Sequence, residues 1–139
     1  MSDTYSYHPE IPENCPLIGA LPVGTIYRSV PTFPPTAADF ISDVEVRNAK
    51  RTNCKNWGSS VWQDLKSANR AREIYDSFRT SYIVVGELDG SEGQVMPTPS
   101  TTQPGHATFW KVHDLDISAN FEIALEPIVP LQDDPLGPM

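Results

Sequence analysis

Apolar and polar positions follow two periods along this chain and switch between them repeatedly. Residues 24–30 put Ile26, Arg28 and Val30 on one side and Thr25, Tyr27 and Ser29 on the other, the two-residue period of a strand. Pro31, Pro34 and Pro35 end it. Thr36-Ala37-Ala38-Asp39 is a capping-box variant with Asp in place of Glu, and Phe40, Ile41 and Val44 supply the apolar face of a short helix. Residues 47–58 are polar and basic and read as a loop, followed by a short strand over 59–62. Asp64 can cap a helix over 64–78, where Leu65, Ala68, Ala71, Ile74, Tyr75 and Phe78 recur at three- and four-residue steps. Residues 81–88 form the strongest strand, and the run Ile83, Val84, Val85 predicts burial on both faces and a central place in the sheet. Asp89-Gly90 signals a turn, Val95-Met96 a short return strand, and residues 97–105, without one apolar side chain, a flexible loop. Residues 106–112 and 121–126 supply the last two strands. The order β-α-β-α-β-β-β-β predicts an α+β fold: a largely antiparallel sheet, two helices in the N-terminal half and Pro-rich extended termini.

Composition adds the ends to this picture. The chain has 139 residues, one domain on length alone. Its 14 prolines gather at 9–22, 31–35, 97–104 and after Glu126. Residues 1–20 therefore read as an extended Pro-containing arm, 21–129 as a single α+β domain, and 130–139 as a flexible acidic tail. The two ends lack apolar periodicity and are expected to bury little surface.

Charge divides the chain in three. The net charge of −8 is the sum of −5 over residues 1–46, +5 over 47–79 and −8 over 80–139. An acidic chain is a poor binder of phosphate backbones, so nucleic acid is not an expected partner. The basic middle suits either a local anion patch or a solvated face offset by the acidic half. Cys15 and Cys54 sit in no C-x-x-C pair and have no histidine at ligand spacing, so no metal is expected. Their number permits a disulfide. The first ten residues contain no basic or apolar leader pattern, and no apolar run approaches a membrane span, so the expectation is a cytoplasmic protein with reduced thiols and no membrane contact.

The chemistry-bearing residues are few. There is no Gly-rich phosphate loop, no G-x-S-x-G and no H-E-x-x-H. As a strand, residues 106–110 put His106, Thr108 and Trp110 on one face and Ala107 and Phe109 on the other. An imidazole, a hydroxyl and an indole on one surface suit a polar ligand site or a hydrogen-bonded core edge. Arg28, beside Tyr27, is an anion clamp or the structural partner of an acid such as Asp39. Ser59 and Ser60 position a ligand or satisfy nearby backbone. Cys54 is a formal candidate nucleophile with His106 as base. His8 and His113 have no context in the sequence. The candidate ligand-binding residues are therefore Tyr27, Arg28, Ser59, Ser60, His106 and Trp110, with no catalytic residue assigned.

The order Ile26-Tyr27-Arg28, Asp39-Phe40-Ile41-Ser42, Cys54, Gly58-Ser59-Ser60-Val61-Trp62, Gly105-His106 and Trp110 resembles a group of small uncharacterised bacterial proteins. These share a Tyr-Arg strand, Asp-Phe-x-Ser, Gly-Leu-Ser-Val and a late His…Trp; Ser59 here replaces the Leu. That resemblance covers residues 26–112 and implies membership without a chemistry. More faintly, Arg28 and Ser59-Ser60 resemble ADP-ribosyltransferase-like domains, which pair an Arg or His on a first strand with hydroxyls on a later one. The glutamate of that pattern has no matching context at Glu87 or Glu122. Two functions remain in view. One is a small cytosolic interaction module with a protein partner, in a bacterial toxin–antitoxin, immunity or defence setting. The other is a small enzyme acting on a nucleotide-like anionic substrate. Neither requires a cofactor. An enzyme should gather Tyr27, Arg28, Ser59, Ser60 and His106 into one cleft, and a module should scatter them.

Overall fold

The computed structural model describes residues 5–42, 44–45 and 53–128. The basic residues Arg47, Lys50 and Arg51 and the acidic tail lie outside that range. The strands are β1 (Leu21–Pro22), β2 (Thr25–Val30), β3 (Ser59–Trp62), β4 (Tyr82–Glu87), β5 (Gly93–Pro97), β6 (His106–Lys111) and β7 (Phe121–Leu125). They form one sheet in the order β1-β5-β6-β3-β2-β4-β7, with every neighbouring pair antiparallel. Two helices follow β3, α1 (Leu65–Ile74) and α2 (Asp76–Arg79). The fold is α+β, as the alternating periods predict. Among the described residues no helix is long and apolar enough to cross a membrane.

Strand alternation gives the sheet two different faces. On the first, Ile26, Val61, Val84, Val95, Ala107 and Phe109 form one continuous core. Phe40 from the 3₁₀ turn Ala37–Phe40 closes it, stacked on Phe121 at 4.4 Å between ring centroids. The second face carries two separate apolar clusters. Trp62 and Ile83 lie beneath Ala68 and Ala71 of α1, with Tyr27 and Phe78 packed alongside. Trp57 and Trp110 lie beneath Tyr7, Ile11, Cys15 and Leu17 of the N-terminal arm. Each buried tryptophan contributes on the order of 4–6 kcal/mol of gross burial energy.

The helical cover forms for local reasons. The Asp64 carboxylate caps α1 by accepting from Ser67 N–H at 2.7 Å. Alanines at positions 68 and 71, both fully buried, let the helix approach the sheet closely. Buried Arg72 ties α1 to the sheet, its Nη2 donating to the Ser81 carbonyl at 2.9 Å. Burial lowers its pKa. The single helix expected over 64–78 is broken at Tyr75, whose backbone is extended (φ −118°, ψ 119°). The break brings Phe78 edge-on to Trp62 at 5.2 Å.

Several expectations change on the sheet. β4 is one strand in from the edge rather than central, and Val85 is only half-buried. The helix expected from Thr36 is a 3₁₀ turn at Ala37–Phe40; its capping box forms, but Val44 joins the Trp57–Trp110 cluster instead of continuing the Phe40 face. β1 has two exposed residues and no period to announce it.

The arm differs most from its expectation. Tyr5 Oη donates to the Gly90 carbonyl, Tyr7 Oη donates to Gln94 Oε1, and five arm side chains, Ala20 among them, join the cluster of the two tryptophans. Cys15 and Cys54 are joined by a disulfide, with Cα atoms 5.5 Å apart. The expectation of reduced thiols is thereby corrected. The partners stand 39 residues apart, and only the tertiary fold brings the arm over the turn that carries Cys54.

Candidate active site

Between the two covers of the second face runs an uncovered polar strip. Its floor is set by strand register. Ser60 pairs with Thr108 and Trp62 with His106, so all four share that face. His106 Nε2 lies 2.9 Å from Ser60 Oγ. On the ring's other side, Nδ1 lies 3.1 Å from the Thr98 carbonyl oxygen and 3.0 Å from Thr98 Oγ1. A carbonyl oxygen only accepts, so we assign the ring hydrogen of neutral His106 to Nδ1. Nε2 is then the acceptor and the Ser60 hydroxyl donates to it. Thr98 Oγ1 completes the network with Thr108 Oγ1 at 2.8 Å.

The residues that hold His106 come from the segment expected to be a flexible loop. Thr98 N–H donates to the His106 carbonyl at 2.9 Å, which extends the β5–β6 ladder past Pro97. The Gln103 carbonyl accepts from both Ser100 N–H and His106 N–H, each at 3.1 Å. Gln103 Oε1 accepts from the Trp62 indole at 2.8 Å. A Cβ on Gly105 would collide with the Ser67 side chain, so only glycine lets the loop rest on α1 there. The loop is clipped at both ends and against the helix.

A cleft of about 340 Å³ opens above this network, bordered by Ser60, His106, Thr98, Ser100, Gln103 and Lys55. That volume is at the small end for ligand sites. The opposite wall is the 3₁₀ turn Cys54–Trp57, capped by Asn53 Oδ1 accepting from Asn56 N–H at 3.3 Å. The disulfide, the buried Trp57 and the Trp110 indole, which donates to the Cys54 carbonyl at 2.9 Å, fix that turn. Lys55 and Asn56 therefore present a cation and an amide to the cleft from a fixed support. No carboxylate borders it among the described residues.

Of the six residues singled out from the sequence, Ser60 and His106 meet. Ser59 borders the same cleft but is buried and alternates toward the other face. Arg28 stands behind the site: Nε donates to the Asp39 carbonyl and Nη1 to the Ser60 carbonyl, both at 2.7 Å. The acid it was expected to pair with thus supplies backbone oxygen, while the Asp39 carboxylate accepts from Thr36 N–H at 2.8 Å. β2 and β3 register only at Tyr27 opposite Trp62, and the Arg28 side chain bridges to β3 from there. Tyr27 and Trp110 belong to the two apolar clusters and do not line the cleft. Cys54 is spent in the disulfide and offers no thiolate, which corrects its reading as a nucleophile.

No family model, curated protein or solved structure matches this chain. What the cleft does is therefore read from its atoms. A nucleophile within hydrogen-bond reach of a base, and the base oriented by a third group, is the arrangement that activates a serine. Thr98, Gln103 and Lys55 were not singled out from the sequence, because each acts through loop geometry that has no period.

A second cleft, of about 370 Å³, joins His8 and His113, which lacked context in the sequence. Their rings lie 4.8 Å apart, with Glu45, Lys111, Asp114 and Asp116 around them. Burial raises the Glu45 carboxyl pKa, with His8 and Lys111 opposing that shift. Burial lowers that of Lys111, whose ammonium donates to the Val112 and Leu115 carbonyls at 2.7 and 2.6 Å. Among the described residues no group of three or more His, Cys, Asp or Glu is placed to hold a metal ion.

Proposed function

We propose that the cleft is the active site of a small hydrolytic enzyme with Ser60 as nucleophile and His106 as general base. In this reading Ser60 Oγ bonds to an ester-type carbonyl carbon while His106 Nε2 takes the hydroxyl proton. The proton then passes to the leaving alcohol as its bond to the acyl group breaks, and water releases the acyl group by the same route in reverse. The observation that carries the reading is the Thr98 carbonyl against Nδ1, because it selects the tautomer that can accept from Ser60. Lys55 favours a substrate with an anionic group near the scissile bond. A nucleotide-like substrate is one member of that class. The transferase-like variant has less support, since Glu87 and Glu122 do not border the cleft.

The test is hydrolysis of short p-nitrophenyl esters by the purified protein with its disulfide intact. Turnover should exceed that of Ser60→Ala and His106→Ala by at least about 100-fold, and carboxylate-bearing esters should be preferred over neutral ones. Equal rates in wild type and both variants would overturn it. The disulfide favours an oxidising compartment over the cytoplasmic placement expected from the first residues.

A second reading, the interaction module, is supported by β7. Among the described residues it pairs only with β4, and Ile123 and the following Ile128 are exposed. A protein partner in a toxin–antitoxin, immunity or defence setting would add a strand there. Co-purification from the native host that is lost on Ile123→Lys would favour this reading; a monomer recovered alone would count against it.

A further inference from the structure

We infer that Gln103 supplies the hydrogen bond that stabilises the oxyanion formed when Ser60 attacks, and that Trp62 sets its direction. The inference rests on the hydrolytic reading of the cleft. Gln103 borders the cleft with Ser60 and His106, and it also borders the wider groove along α1. Its amide orientation follows from its partner. The Trp62 indole can only donate, so the atom 2.8 Å from it is the amide oxygen. The NH₂ group then points away from Trp62 and makes no hydrogen bond among the described residues. A fixed donor with no protein partner, on the wall of a cleft that holds a nucleophile–base pair, is the arrangement that stabilises developing negative charge.

The side chain is also held in place from behind. Gln103 N–H donates to Ser100 Oγ at 3.0 Å, and the Gln103 carbonyl accepts from two backbone amides. Trp62 is buried between β3 and α1, so the indole that orients the amide cannot swing. Preorganisation of this kind lets a single donor act without first rearranging. Trp62 touches no substrate in this scheme; it is a positioning residue.

Gln103→Glu keeps an oxygen acceptor for the indole and removes the donor. Gln103→Met removes both and adds no charge. Gln103→Glu should melt close to wild type and Gln103→Met several degrees lower, because it leaves the Trp62 indole N–H without its partner. Both should lose on the order of 100- to 1,000-fold in kcat on p-nitrophenyl esters, with KM changed only a few-fold. Trp62→Phe, which keeps a buried ring but frees the amide, should lose about 10-fold in kcat. If either folded Gln103 variant retains wild-type kcat, the role is refuted while the Ser60 reading stands. If the wild-type protein does not turn over these esters at all, the Ser60 reading fails and this one with it. A loss confined to KM would assign Gln103 to binding and also overturn the inference.

Discussion

One face of the sheet is closed in two different ways, and the difference explains why a polar cleft survives between them. Over Trp62 and Ile83 the cover is a regular helix, contiguous in sequence, held by alanines small enough to touch the strands. Over Trp110 the cover is an irregular arm, held by a disulfide, two tyrosine hydroxyls and an indole bonded to the Cys54 carbonyl. The first cover depends on apolar periodicity and the second on tethers. Neither extends over Ser60 and His106, whose polar groups need partners rather than apolar burial, while Thr108 is buried in the same hydrogen-bond network. The turn that the disulfide ties to the arm forms one wall of the cleft, and the loop resting on the helix forms the other.

The comparison breaks first at its tryptophans. Trp62→Ala and Trp110→Ala should each cost about 3–5 kcal/mol in chemical denaturation. Amide exchange should rise first in α1 for the former and first in residues 5–20 for the latter. Identical exchange patterns would mean that the two covers are one cooperative unit.

The tether comes next. Pairing Cys15→Ser with Cys54→Ser should cost about 2–4 kcal/mol, since the bond closes a 39-residue span. The loss should fall on the arm, leaving α1 protection nearly unchanged. A melting temperature equal to that of the oxidised protein would show that Trp57 and Trp110 hold the arm unaided.

The uncovered strip should be thermodynamically cheap. Ser60→Ala removes one partly exposed hydrogen bond and should change stability by only about 0.5–1.5 kcal/mol. A larger loss would make the strip part of the core.

The smallest effect concerns Glu45, beside His8 of the arm. Burial raises its folded-state pKa above 4.5. A raised carboxyl favours folding below its unfolded value and loses that contribution as pH rises through the folded value. Wild type should therefore weaken relative to Glu45→Gln as pH increases above about 4.5, by about 1–2 °C in melting temperature. A difference that is flat with pH would show that Glu45 is solvated.

The helical half was legible because its stabilising contacts repeat. Ala68, Ala71 and Phe78 announce the helical cover by spacing, although Leu65 and Tyr75 of the same stripe are exposed and the break at Tyr75 has no spacing signal. The alternation of residues 106–110 matches the faces found. The arm half was not. Tyr5, Tyr7 and Cys15 have no period, and their partners Gly90, Gln94 and Cys54 lie far away in sequence. The site falls between. Ser60 and His106 could be named as residue types on strands, but their meeting depends on register across β3 and β6, which no single strand encodes. The loop of residues 97–105 looked mobile because it lacks apolar side chains. Its order comes from backbone hydrogen bonds, for which composition gives no signal.

The most direct test of the serine site is covalent. A fluorophosphonate probe, which phosphonylates activated serine hydroxyls with loss of fluoride, should add one adduct to the oxidised protein, and peptide mass spectrometry should place it on Ser60. His106→Ala and Ser60→Ala should remain unlabelled under the same conditions while keeping a wild-type melting profile to within a few degrees. An unlabelled wild-type protein, or a label on another hydroxyl that persists in both variants, would contradict a nucleophilic Ser60–His106 pair and leave the network as a structural clasp between two covers.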